Sequence, residues 1–252
     1  MPSSQRAGHE PASDALPVSL VCFGLNGTLV VDDGMAERSF TEAIATQGIV
    51  PGTSAYARCM VQVHQGRGRA AIDVLRSLFP GSEPRAQAAL LAFDRSLSAA
   101  IGRAGLSPVP GVQQVMSILA AAGLRLCLLS GLSRSVLRIV LDGLAWQDCF
   151  DAVLCADDVP RGCPYPDLVL TAMLRLGVDD VRQAAVVHGT ESGVLCGRRA
   201  GAGLVAAVLT GAHAQARLQN AGPDQLLPSV ADLPALVGIS GRAERNDART
   251  TA

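Results

Sequence analysis

Short apolar runs that end in turns alternate along this chain with longer stretches in which apolar residues recur every three or four positions. Short apolar runs bounded by turns are typical of buried parallel strands, and the spacing between them is typical of helices. Strands are predicted at 18–23, 124–129, 152–155, 184–187 and 203–208, with a last short strand and helix over 226–237. This order predicts an α/β fold with a doubly wound parallel sheet.

One stretch, 35–108, has helical periodicity only and separates the first strand from the others. It contains three helical segments, the second of which, 53–78, is interrupted near residues 65–68. The apolar spacing in that segment predicts five buried side chains: Met60, Val61, Ile72, Leu75 and Leu78. We therefore expect an inserted all-helical cap domain over 35–108. The other predicted parts are an α/β core over 17–34 and 109–237 and disordered tails at 1–16 and 238–252.

Composition excludes several kinds of partner. The 252 residues are 49% hydrophobic, enough for a sizeable core, and the net charge of −1 comes without a basic block, so nucleic acid is not expected. No apolar run reaches about 18 residues and no charged-then-apolar N-terminus is present, so we expect neither a membrane span nor a signal peptide. The seven cysteines lack metal-ligand spacing, which indicates reduced thiols in a cytoplasmic protein.

Four stretches of the sequence resemble the haloacid dehalogenase (HAD) superfamily, and in particular its phosphonatase-like branch. Residues 20–34 form an apolar run followed by Gly-Leu-Asn-Gly-Thr and then Leu-Val-Val-Asp-Asp-Gly, while 155–167, 200–203 and 209–213 are similar to the third motif and the late strand. The resemblance covers roughly 18–237. It implies a HAD-like Rossmannoid core with a helical cap, an Asp nucleophile, Mg²⁺ held by carboxylates, and a cation that binds the transferring phosphoryl group.

Most of these reactive residues are replaced in this chain. The nucleophilic Asp of the family falls on Gly24 and its second Asp on Asn26, while Cys163 stands where the family has Arg or Lys. The two Asp positions of the fourth motif are Gly189 and Gly193. We therefore expect a pseudoenzyme with no Mg²⁺ site and no confident catalytic residue. Loss of anions and cation together leaves no buried charge without a partner.

Polar residues remain at other family positions, and the resemblance implies binding roles for them. Thr28 belongs to the first motif, and Ser130 and Gly131 match the second. Arg69 stands at the position of the phosphonatase lysine. The chain has no lysine, and arginine forms no stable imine, so hydrolysis of phosphonoacetaldehyde by that route is excluded.

Further candidates lie in the fourth motif and in the insert. His188 and Glu191 are the candidates in the fourth motif. In the insert, His64, Arg67 and Arg69 form a candidate anion-binding group, with a solvated surface as the alternative.

Three functions stay open at this point. The preferred hypothesis is a non-hydrolytic binding or accessory protein, for example in a biosynthetic pathway. A repurposed enzyme is the first alternative, with Ser130, Cys163 and His188 in the cleft and a Cys–His pair as nucleophile and base. The second is a weak HAD-type hydrolase or phosphatase with a displaced nucleophile such as Asp32. The expected ligand is a small anionic or polar metabolite in the core–cap cleft, with a protein partner or a homodimer as the alternatives.

Overall fold

A computed structural model of the chain describes residues 17–31 and 33–239. Its centre is a six-stranded, wholly parallel sheet with the order β3-β2-β1-β4-β5-β6. The strands are β1 Leu20–Gly24, β2 Arg125–Leu129, β3 Ala152–Leu154, β4 Ala184–His188, β5 Leu204–Val208 and β6 Gln225–Leu227. The predicted α/β fold with a parallel sheet is therefore confirmed.

Helices connect successive strands and cover both faces of the sheet. The first four follow β1: α1 Met35–Ala45, α2 Ser54–Gln65, α3 Ala71–Leu78 and α4 Glu83–Ala104. The others are α5 Val112–Ala121, α6 Arg134–Leu144, α7 Asp167–Leu176, α8 Glu191–Ala200, α9 Gln215–Asn220 and α10 Leu233–Leu236. The prediction had no counterpart for α9, a six-residue helix in which only Leu218 is buried.

Alternation along the strands divides the apolar side chains between two cores. On one face, Val21 and Phe23 of β1 pack with α5, α6 and α10. On the other face, Leu20 and Cys22 of the same strand pack with α7, α8 and α9. Because every central strand is covered on both faces, its residues are apolar almost without interruption.

The four helices after β1, which we call the helical insert, pack mainly on one another and on α6. The rings of Phe40 in α1 and Phe93 in α4 are 4.4 Å apart. Met60 and Leu75 are buried as predicted, but Val61 is 54% exposed because it lies on the outer face of α2. The division into separate core and cap domains stays a prediction.

Two further expectations concern the ends of the chain and the membrane. The predicted tail 1–16, residues 240–252 of the predicted tail 238–252, and Asp32 lie outside the described residues. Within the described ranges, no helix is both long and apolar enough to cross a membrane.

Candidate functional site

The carboxyl ends of β1, β2 and β4 lie side by side, because β1 pairs with both of the other strands. Loops in doubly wound proteins present their functional groups at this end of the sheet. Here Asn26 follows β1, Ser130 follows β2 and His188 ends β4. The helical insert lies over them and encloses a cavity of about 110 Å³ that all three residues line.

The imidazole of His188 occupies the space in front of two glycines. A methyl group at Gly24 would lie 2.5 Å from Cδ2 and Nε2 of this ring, and a methyl group at Gly193 would overlap its Cγ. The ring is therefore held between the two backbones and leaves no room for a side chain at either position. These are two of the positions where the HAD resemblance implies carboxylates.

Hydrogen bonding and burial keep His188 in place and uncharged. Its Nδ1 is 3.0 Å from the hydroxyl oxygen of Thr190, which caps α8 by accepting a hydrogen bond from the Gly193 N–H. Burial, and secondarily the charge of His213, lowers the pKa of His188 to about 4. At neutral pH the imidazole is therefore a neutral polar group in the wall of the cavity.

Three glycines bring loop backbones into direct contact beside His188. A methyl group at Gly189 would lie 2.7 Å from the carbonyl oxygen of Gly27 and 2.9 Å from Cα of Gly211. Gly189 therefore faces these two backbones rather than the cavity. The hydroxyl of Thr28 accepts a hydrogen bond of 2.9 Å from the Gly189 N–H, and Thr28 is completely buried. Thr28 does not line the cavity, and the binding role that the resemblance implies for it stays a prediction.

The loop between α2 and α3 joins the helical insert to the sheet end. The N–H of Ala71 donates to the carbonyl oxygen of Gly131 over 3.0 Å, and the hydroxyl of Ser192 donates to the carbonyl oxygen of Arg67. A side chain at Gly131 would lie 2.6 Å from the carbonyl oxygen of Arg69. This loop therefore lies directly over Ser130 and Gly131 and closes the cavity on that side.

Ion pairs compensate most charges near the cavity. Glu37 in α1 contacts Nε2 of His64 at 3.0 Å and the Arg67 guanidinium at 2.6 Å. The hydrogen bond from His64 is the largest of the effects that lower the pKa of Glu37. By contrast, no described residue forms a hydrogen bond or ion pair with the Arg69 guanidinium, although Arg69 lines the cavity.

Two predicted site residues lie elsewhere. Glu191 does not line the cavity; its carboxylate contacts Nε of Arg217 at 2.6 Å. Cys163 is buried beside Cys196 in the core on the α7–α8 face and does not line the cavity that His188 lines. Contact with the Cys196 thiol, together with burial, raises the pKa of Cys163 well above its usual value, which disfavours the nucleophilic thiolate.

The cavity thus unites six predicted residues and several that the sequence did not indicate. The predicted residues that line it are Asn26, Arg67, Arg69, Ser130, Gly131 and His188. Apolar side chains from the helical insert complete the wall: Phe40, Val63, Val74 and Phe93. Their helical spacing predicted buried faces, but a single helix cannot indicate which buried side chain borders a cavity.

The described residues do not fit the Mg²⁺ ion that the family resemblance implies. Hard Mg²⁺ requires several oxygen ligands in octahedral geometry. Three of the implied positions are Gly24, Gly189 and Gly193, and the His188 ring fills the space in front of the first and the last. Within residues 17–31 and 33–239, no group of three or more His, Cys, Asp or Glu side chains could hold a metal ion.

The fold and the position of the cavity define a doubly wound α/β protein with a helical insert over its functional end. A protein-family model described as haloacid dehalogenase-like hydrolase matches residues 18–201, which is more than half of the chain. The chain therefore belongs to the haloacid dehalogenase-like hydrolase family, within its phosphonatase-like branch.

Similar curated proteins are phosphonoacetaldehyde hydrolases. The protein of that name from Bordetella avium (strain 197N) is 29% identical over 90% of this chain and 92% of its own length. The one from Bordetella pertussis (strain Tohama I) is 33% identical over 52% of this chain and 55% of its own length. The chain thus spans about half the length of the first curated relatives that it matches.

Among solved structures, a phosphonoacetaldehyde hydrolase like protein from Oleispira antarctica has a TM-score of 0.76 at 20% identity and covers 92% of this chain and 96% of that chain. A hydrolase from Pseudomonas syringae has a TM-score of 0.75 at 21% identity, with coverages of 87% and 98%. At these identities the similarity concerns the fold alone.

Proposed function

We propose that this chain is a HAD-type protein without phosphoryl-transfer activity that binds a small molecule in the cavity between the sheet and the helical insert. The relatives named phosphonoacetaldehyde hydrolases make hydrolysis the natural alternative. Two parts of the site distinguish these functions: the space where an attacking carboxylate and its metal would be, and the space that remains for a ligand.

One observation carries the proposal: the His188 ring lies between Gly24 and Gly193. In the family resemblance, position 188 is glycine and positions 24 and 193 are aspartate. Where the family resemblance implies one glycine and two aspartates, the chain has one imidazole and two glycines, so the space is filled without a carboxylate nucleophile. A phosphoryl acceptor has to be an activated nucleophile within reach of the substrate, and neither glycine has a side chain to serve.

The composition of the cavity lining supports ligand binding. The cavity of about 110 Å³ combines neutral polar groups on the sheet side with apolar side chains from the insert. Ligand sites commonly have this composition, with a few polar groups that orient a mostly apolar molecule. The Cys163–His188 alternative has no such support, because the two side chains do not share the cavity.

An assay of hydrolysis tests the proposal. Purified protein is incubated with an aryl phosphate or phosphonoacetaldehyde, with millimolar Mg²⁺ or with a chelator. We expect no turnover above the protein-free rate under either condition, because positioning alone gives little catalysis once the nucleophile is absent. In parallel, native mass spectrometry of freshly purified protein should detect a bound small molecule.

The Asn26→Ala variant separates activity of this chain from that of a contaminant. Asn26 lines the cavity, so turnover that belongs to this site would change in the variant, whereas turnover by a contaminant would not. Mg²⁺-dependent turnover that persists after repurification and falls in Asn26→Ala would refute the proposal and establish a hydrolase.

A further inference from the structure

The cavity has a polar side and an apolar side. Asn26, Ser130 and His188 line it from the sheet end, and the loop that carries Arg69 approaches Gly131, the neighbour of Ser130. The helical insert contributes apolar side chains together with Glu37 and Arg67, which pair with each other at 2.6 Å. A ligand that fills this space therefore needs one polar end and one apolar end.

The charges around the cavity suit a single negative charge. Glu37 is neutralised by two partners, His64 and Arg67, and so needs no cation from a ligand. Arg69 is the cavity-lining arginine that has no partner among the described residues, so it can neutralise one anionic group. His188 adds no charge at neutral pH, because burial keeps its imidazole neutral. A phosphate dianion would leave one charge uncompensated next to the Glu37 carboxylate, which is costly in a partly buried site.

Apart from Arg67, whose guanidinium donates to Glu37 and to the Ala212 carbonyl oxygen, the hydrogen-bond donors lie at the polar end. The hydroxyl of Ser130 accepts a hydrogen bond from the N–H of Leu132, so its own proton remains free to donate. A guanidinium and a hydroxyl can together bind the two oxygens of a carboxylate. The apolar wall, with Phe40 and Phe93 in contact, offers no donor to the further oxygens of a phosphate ester.

We propose that the ligand is a small monocarboxylate with a compact apolar body, its carboxylate bound by Arg69 and Ser130 and its body packed among the insert side chains Phe40, Val63, Val74 and Phe93. This inference rests on the proposed binding function. A body of a few carbon atoms fits within the cavity of about 110 Å³.

Isobutyrate is a suitable probe, with isobutyramide as its neutral analogue and inorganic phosphate as the rival anion. Binding to the full chain is followed by calorimetric titration and by the shift in melting temperature, since a ligand that binds the native state stabilises it. We expect saturable binding of isobutyrate and at least about tenfold weaker binding of the other two, because a charge-assisted hydrogen bond contributes at least that factor.

Variants at Arg69 test whether its guanidinium binds the negative charge of the ligand. Arg69→Gln should weaken isobutyrate binding at least about tenfold. Arg69→Lys should retain part of the affinity, because lysine keeps the positive charge but lacks the planar guanidinium that can donate two parallel hydrogen bonds to a carboxylate. The matched control is Arg103→Gln, an exposed arginine in the last turn of α4, which should leave the affinity unchanged.

Three outcomes would overturn the inference: phosphate binding as tightly as isobutyrate, equal binding of isobutyrate and isobutyramide, or no saturable binding of isobutyrate at all. None of them would restore hydrolysis, which the turnover assay measures independently. A failure of this inference is thus distinguishable from a failure of the proposed function.

Discussion

The sheet end has two halves that differ in packing. In the filled half, beside β4, the ring of His188 lies between Gly24 and Gly193, and Gly189 contacts neighbouring backbones. In the open half, beside β2, Ser130 and Arg69 border the cavity. The filled half comprises positions where the family resemblance implies carboxylates, and the open half comprises the serine of the second motif and the position of the phosphonatase lysine.

The contrast shows how a site can lose its reactive groups without losing stability. Removing carboxylates alone would leave a void, and each void in a packed interior costs stability. Here an imidazole fills the void, and burial keeps it uncharged, so the filled half needs no metal for charge compensation. The open half has kept its space because nothing in its lining had to be replaced to remove the nucleophile.

The largest effect should come from adding a side chain to the filled half. Gly193→Ala would place a methyl group into the His188 ring, and the backbone of Gly24 bounds the ring on its other side. We expect a loss of about 3 kcal/mol in the free energy of unfolding, the upper range for overpacking in a core. Urea denaturation followed by circular dichroism measures it.

The control for this change is Gly102→Ala in α4, where an added methyl group meets nothing within 4 Å. That variant should be more stable than the parent, by up to about 1 kcal/mol, because alanine favours a helix over glycine. Combining Gly193→Ala with His188→Gly should recover part of the loss. A Gly193→Ala protein as stable as the parent would mean that the ring does not lie between the two glycines.

A smaller effect should appear in the pH dependence of stability. The pKa of His188 is about 4 in the folded protein and 6.5 in an exposed side chain. As pH falls from 7 towards 5, the unfolded chain therefore binds a proton that the native state does not, so stability decreases. For this one group the loss at pH 5 is about 2 kcal/mol, and below pH 4 it stops growing.

Chemical denaturation at several pH values between 5 and 7 checks this prediction. His188→Gln should flatten the dependence, whatever its effect on stability at pH 7. Burial also lowers the pKa of His213 to about 4, so His213 should preserve part of the slope of stability against pH in the His188→Gln variant. His213→Gln should remove that remaining part. A His188→Gln protein with the full slope of the parent would show that His188 is not held neutral.

The sequence predicted the frame of the molecule better than its site. The strands were predicted to within about two residues because each is an apolar run bounded by a turn, and both signals are local. The helix α9 was missed because six residues with one buried leucine carry almost no periodicity. Arg69, Ser130 and His188 were found through family positions, since equivalent loops of a conserved fold occupy equivalent places.

The contacts between side chains at the site could not be predicted from local sequence patterns. That His188 fills the space of two glycines depends on three loops that are distant in sequence, and periodicity contains no information on their contact. Cys163 and His188 belong to neighbouring loops, but Cys163 is buried beside Cys196 and does not line the cavity. The sequence gives the order of loops, and only the tertiary structure gives the direction of each side chain.

The smallest effect should come from removing a charge in the open half. Arg69→Gln should change the free energy of unfolding by no more than about 0.5 kcal/mol, because its guanidinium makes no hydrogen bond or ion pair with the described residues. The matched change two residues earlier, Arg67→Gln, removes the contact with Glu37 at 2.6 Å and the hydrogen bond to the Ala212 carbonyl oxygen. It should cost up to about 1 kcal/mol, since the pair is partly exposed. Thermal unfolding of both variants beside the parent measures the difference. If Arg69→Gln were the more damaging of the two, Arg69 would be part of the internal structure, and the open half would not be reserved for a ligand.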